Sequence, residues 1–284
     1  MEICASAVRE GISFCLENLV PSLFPFFVLS ALLIQSGMIE ELSRPLGRLM
    51  PALFGVSENG ASAVLLGSIS GYGVGVTSIR ALYEKGTISR EDAEHLLAFC
   101  TNAGPAFCLG LCARVLGGIR AALLLYGLEL ISAFLCGLLL RGGKPRQTQR
   151  QEKKRVQNPL KLIPAAVQSA VRAMGNICGF VLWFFLLLRL FQSFLSSVGF
   201  APQGLFYSLF LGFFEVTGGI FSLAATRGGF ILAAALVAWG GVCVHLQTIS
   251  LLEGSGLSAK YYLRGKALQT ALAALLAWGA SHLL

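Results

Sequence analysis

The sequence predicts an all-α polytopic membrane protein of two inverted repeats, each with three transmembrane helices and a re-entrant helical hairpin. Three observations carry this. The 284 residues are 55% hydrophobic and 13% charged, where soluble domains carry about 25% charge. Apolar runs at 121–140, 177–195 and 229–252 come close to or exceed the ~20 residues that cross a bilayer. A basic segment, 141–160, separates two halves, 1–140 and 161–284, in which the same order of apolar and glycine-rich stretches recurs.

In the first half the pattern reads as a helix over 19–36, a glycine-rich apolar stretch over 59–82, a helix over 91–118 and another over 121–140. Residues 1–18 carry acids and lack an apolar centre, so no cleavable signal peptide is expected. After the basic segment, 160–174 is amphipathic and suited to lying on a membrane surface. A helix over 175–195, a glycine-containing stretch over 203–225, and helices over 229–252 and 266–283 follow.

The glycine-rich stretches decide the topology. Residues 67–81 are too short for a straight crossing, and glycine interrupts them further. Read as hairpins that enter and return, they leave three crossings per half. An odd number puts the second half on the opposite face, which makes the repeats inverted. With 141–160 on the cytoplasmic side, segments 40–58, 80–95, 141–161 and 253–266 hold 2, 3, 8 and 3 of the 22 Lys and Arg residues, and the outer loop 196–203 holds none. That asymmetry follows the positive-inside tendency. Placed in one linker, the excess positive charge suits anionic lipid rather than nucleic acid.

The first hairpin tip reads LLGSISGYGVGV, residues 65–76. Non-helical backbone at membrane depth is tolerated where it lines a cavity or is buried in protein, and glycine-interrupted apolar segments at matching places in two halves point to a transporter site. The candidate residues there are Ser70, Gly71 and Gly73, with hydroxyls from Ser68, Tyr72 and Thr77 nearby. Asn102, Gly104 and Pro105 interrupt the helix that follows. The matching tip is LGFFEVTGGIF, residues 211–221, with Glu215 and Thr217, and the matching broken helix carries Gly240, Gly241, His245 and Gln247. A potassium-filter reading of Gly-Tyr-Gly fails for want of the Thr-Val lead and of a second copy. A dinucleotide fingerprint fails on spacing. Helix packing through small residues fits Gly67 with Gly71 and Gly175 with Gly179, and stands as the plainer reading.

Glu129 and Glu215 are the acids well inside apolar runs, and an intramembrane acid is a functional candidate by default. Glu215, at a tip, is the stronger one, unless it pairs with Arg189, the basic residue inside an apolar helix. Glu129 reads as structural. Three scattered histidines and eight cysteines without a CxxC pair give no metal site and no catalytic constellation. An enzyme is therefore not expected, and no cofactor, with Na+ or H+ as candidate coupling ions.

The segments VPSLFPFFVLSALLIQSGMIEELSRPL, GSISGYGVGVTSIRALYEKGTISREDAEHLLAFCTNAGPAFCLG, GFFEVTGGIFSLA and GGVCVHLQTISLL together resemble the YlbJ-type sporulation integral membrane proteins, which carry the Gate or nucleoside-recognition domain. The resemblance covers nearly the whole chain. It implies a fold like that of concentrative nucleoside transporters, and a role in endospore formation, where members are associated with moving dipicolinic acid toward the forespore. Carried over by motif, the substrate-binding residues are Ser70, Gly71, Gly73, Asn102, Pro105, Glu215, Thr217, His245 and Gln247. The first tip departs from the family in lacking a proline and a lysine near Gly-Tyr-Gly. The expectation is thus a multi-pass protein of the cell membrane or forespore membrane, a secondary transporter of a small polar or anionic aromatic solute. The alternative is a non-transporting scaffold or assembly factor. Expected partners are a small-molecule solute and membrane lipid, with homo-oligomer formation open.

Overall fold

The computed structural model describes residues 2–141, 158–199 and 203–283, and among these every regular element is helical. Most of the basic linker lies outside the described residues. Among the described residues four stretches are long and apolar enough to cross a membrane: Ile3–Ser36, Ile119–Leu139, Leu160–Ser197 and Arg227–Leu252. The protein is a multi-pass membrane protein.

The first stretch joins α1 (Glu2–Phe14), a π-helical turn (Cys15–Leu19) and α2 (Val20–Ser36). It begins well before residue 19, the start expected from hydropathy. Proline explains the wide turn: Pro21 and Pro25 lack N–H donors and crowd the preceding carbonyls, and π bulges absorb such mismatches. Ser22 and Asn18 bond back to the carbonyls of Asn18 and Phe14. Gly37, at φ 78°, ends α2, and α3 (Met38–Gly47) and α4 (Met50–Leu53) follow.

A single 3-10 turn (Glu58–Gly60) leads into α5 (Ala61–Ser70), which folds back through Gly71 into α6 (Tyr72–Glu84). Ser89 caps α7 (Arg90–Leu97) by accepting from Asp92 N at 3.0 Å. Residues 101–104 have no regular structure. The chain then resumes as a π-helix (Ala106–Cys112), α8 (Ala113–Val115) and α9 (Ile119–Leu139).

The second half also runs from a long helix to a hairpin, a broken helix and a final helix, without counterparts of α3 and α4 among the described residues. The helix α10 (Pro159–Ser197) runs unbroken for 39 residues, about 58 Å at 1.5 Å per residue. It merges the surface segment and the crossing helix that were expected to be separate, and Gly175 and Gly179 sit within it with nothing close enough to meet an added Cβ. The hairpin is α11 (Gly204–Phe214) and α12 (Val216–Phe221), broken at Glu215. The helices α13 (Arg227–Trp239) and α14 (Gly241–Leu252) meet at Gly240, and α15 (Lys260–Ala280) closes the fold.

Two buried apolar clusters hold the molecule together, and both draw on both halves. One joins Leu19, Leu111 and Leu125 to Phe230 and Val237. The other joins Phe54, Phe99 and Ile79 to Leu252 and Tyr262.

Candidate functional site

Each hairpin tip is seated on the broken helix of its own half. Gly71 has φ +92°, a conformation that glycine adopts at no steric cost. A Cβ on Gly104 would lie 3.0 Å from Gly71 N, so the unwound strand 101–104 passes directly over the tip. Gly67 and Gly75 have a related role: an added Cβ at either would run into the carbonyl oxygen of Cys100. The glycines of the first hairpin thus admit a segment of bare backbone between its arms, beyond the helix-to-helix packing that Gly67 and Gly71 suggested.

In the second half, Gly212 and Gly219 touch across the hairpin, and an added Cβ on Gly241 would meet Phe214 O and Val216 N at 3.0 Å each. Glu215 is extended at φ −140° and ψ 110° and is 1% exposed. Its Oε1 accepts from Thr217 N at 2.9 Å and its Oε2 from Gly218 N at 2.6 Å, capping α12. The pairing with Arg189 does not form. Arg189 binds Glu10 on the exposed face of α10 instead, because the two sit on a packed helix pair, α1 and α10.

The two tips meet at one cavity of about 80 Å³, room for several waters. Of the residues singled out from the sequence, Ser70, Gly71, Gly73, Glu215, Thr217 and Gln247 line it. The opposite wall is apolar: Leu23 and Phe27 of α2, Phe107, and Ile177 and Val181 of α10. Hydropathy alone did not single out this wall, because these residues read as ordinary crossing-helix positions. Ser70 Oγ donates to Ser30 Oγ at 2.7 Å. Tyr72 reaches into the other half, its hydroxyl donating to Val237 O at 2.6 Å.

Asn102, Pro105 and His245 are absent from the lining. Pro105 starts the π-helix, where a missing N–H costs nothing. The His245 ring packs edge-on against Trp239 and lies 2.7 Å from Tyr262 Oη through Nδ1, while among the described residues its buried Nε2 has no hydrogen-bond partner.

Asn102 belongs to a second polar centre behind the tips. Its Nδ2 donates to Phe99 O at 2.8 Å, and its Oδ1 accepts from Gln269 Nε2 at 3.0 Å. Gln269 Oε1 accepts from Lys266 Nζ at 2.9 Å, and Lys266 also donates to Ala238 O at 2.9 Å. Glu129 Oε1 accepts from Ala103 N at 3.2 Å. Lys266 is fully buried, 5.4 Å over the Tyr72 ring. The sequence placed it at the end of the cytoplasmic segment 253–266, where Lys260 and Arg264 precede it. The signal that could have separated it is register, since two residues beyond Arg264 is the opposite side of a helix.

No protein-family model matches the chain, and neither does any solved structure. Among curated proteins it is similar to the sporulation integral membrane protein YlbJ of Bacillus subtilis, with 27% identity over 94% of this chain and 75% of that protein. The similarity runs through almost the whole chain, and it is to an integral membrane protein, in keeping with the four apolar helices of membrane-spanning length.

Proposed function

We propose that the protein is a secondary transporter of a small polar aromatic solute, acting in endospore formation as its relative's name indicates for that protein. The halves are inverted repeats, and α5–α6 and α11–α12 are re-entrant hairpins whose tips lie within the bilayer. The observation that carries the reading is the convergence of both tips on one cavity that has a buried carboxylate on one side and an apolar wall on the other. Such a lining suits a flat ring with polar edges. Alternating access would part the tips and enlarge a cavity too small for the solute as it stands.

Glu215 discriminates among solutes. Each carboxylate oxygen keeps a lone pair beyond the N–H it accepts, and an ionised carboxylate accepts only. A neutral solute with donors, such as a nucleoside, is therefore favoured, and a dianion such as dipicolinate enters only with Glu215 protonated. The test is uptake of labelled uridine and labelled dipicolinate into proteoliposomes by wild type and Glu215→Gln. Uridine uptake that the substitution abolishes supports the nucleoside-like site. Dipicolinate uptake that survives or rises in Glu215→Gln supports the anion.

A second reading, a non-transporting scaffold, has one observation in its favour: Glu215 and Asn102 both hold backbone breaks in place. Absence of uptake of either solute by folded, oriented protein would transfer the assignment to it.

A further inference from the structure

We propose that Glu129 and Lys266 form the proton-binding pair that couples this protein to a proton gradient; the proposal rests on the transport reading. The geometry starts from the corresponding third helices of the two halves, α9 and α15, which pack side by side. One supplies a fully buried acid and the other a fully buried base. Burying either charge is costly unless the pair is compensated.

Compensation is incomplete at one atom. Glu129 Oε1 takes the N–H of Ala103 and the Gln269 side chain lies beside the carboxylate, but among the described residues no donor reaches the buried Oε2 within hydrogen-bond distance. Leaving such an oxygen unpaired is unfavourable, and binding of a proton at that atom relieves it. Lys266 selects the proton. It already supplies one positive charge within Coulomb range of Glu129 and, as an ammonium, offers no lone pair to a metal ion. A hard cation needs several oxygen ligands, while a proton needs only the lone pair of Oε2 and turns the carboxylate into a neutral acid.

The groups facing the pair are phenols, thiols and one imidazole: Tyr72 from α6, Cys108 and Cys112 from the π-helix, Tyr126 and Cys136 on α9, and Tyr262 with His245 beside Lys266. From α13 the contact is the Ala238 carbonyl, and the His95 ring of α7 is engaged with Gly137 O at 3.2 Å.

The pair also touches both backbone breaks. Glu129 holds Ala103 directly, and Lys266 holds Ala238, two residues before Gly240. Gln269 ties Lys266 to Asn102. Just beyond these breaks come Gly104 on one side and Cys243 and Gln247 on the other, all lining the cavity. A proton arriving from solvent forms an O–H bond at Oε2 and removes the charge opposite Lys266. The conformer that binds the proton better is then favoured by that difference in affinity.

The experiment has two arms on full-length protein. Infrared difference spectra across a pH titration read the carbonyl stretch of an un-ionised carboxylic acid, in wild type, Glu129→Gln and Lys266→Met. The expected result is a titrating band that Glu129→Gln removes and that Lys266→Met retains to higher pH. A band untouched by Glu129→Gln belongs to another carboxyl such as Glu215 and overturns the assignment, as does an acid that stays ionised throughout. If Glu129→Gln does not fold, the double variant Glu129→Gln/Lys266→Gln, which removes both charges together, takes its place. The second arm measures uptake under an imposed pH gradient, which is expected to stimulate the wild type several-fold and to stimulate neither Glu129→Gln nor the double variant. Wild-type uptake indifferent to the gradient overturns the coupling. Absence of wild-type uptake under every gradient overturns the transport reading alone, and the spectra still decide the proton site.

Discussion

A methyl group added at Gly67 or Gly75 would overlap the carbonyl oxygen of Cys100, which belongs to backbone and cannot swing aside. Gly73, between them, has only a side-chain atom of Leu251 at 3.7 Å. Gly67→Ala and Gly75→Ala are each expected to lower stability by about 1–3 kcal/mol through overpacking, whereas Gly73→Ala stays near wild type. Thermal unfolding in mild detergent reads the difference, and equal effects at all three would defeat the argument. His95, in the segment read as cytoplasmic, gives a pH prediction. Burial draws its imidazole below the ordinary value, against a smaller opposing pull from the Gly137 carbonyl and Asp92. The unfolded chain therefore binds the proton first as pH falls. Stability is full above about 6.5, the unfolded value, and declines as pH drops from there toward the folded value. His95→Asn is expected to flatten that part of a melting-temperature profile. At this scale the sequence spoke unevenly. Glu215 announced itself as an acid among apolar neighbours. Lys266, no less buried, was hidden by Lys260 and Arg264, because a charge at a helix start normally reads as solvated.

The hairpins and broken helices were legible as elements because glycine, proline and asparagine are expensive inside helices and so mark real interruptions. The partners of each interruption were not, since contacts such as Cys100 O between Gly67 and Gly75 join residues far apart in sequence. The start of α10 was misread for the opposite reason. The change from amphipathic to apolar near residue 174 alters what the helix faces without breaking its backbone: Ala166, Ala170 and Met174 are buried at four-residue spacing, and the helix simply continues. Spin labels at Ile163 and Leu190, both exposed, test this in a cysteine-free background. An unbroken helix puts these backbones about 40 Å apart, and a right-angle bend near 174 about 30 Å. A distribution centred on the shorter value would restore a separate surface helix.

The two halves of the molecule are bolted together at several depths. Tyr72 bonds to Val237, and Arg80 donates to the carbonyls of Leu251 and Glu253 at 2.8 and 3.0 Å. Ser258 N donates to Glu94 Oε1 at 3.0 Å, and Gln269 reaches Asn102. Both apolar clusters are shared as well, so neither half could keep its core covered alone. All of these contacts join described residues of one half to those of the other, so the fold is expected to persist when the covalent link in 142–157 is cut. A protease site placed in that segment should be cut only from the cytoplasmic face, if the basic residues orient the chain as their distribution implies. After cutting, the halves are expected to co-elute in mild detergent and to unfold in one transition, because breaking either interface exposes part of a shared core. Halves that separate on cutting would show that the linker holds the pair in place. The site between the two tips would then depend on the tether as well as on packing.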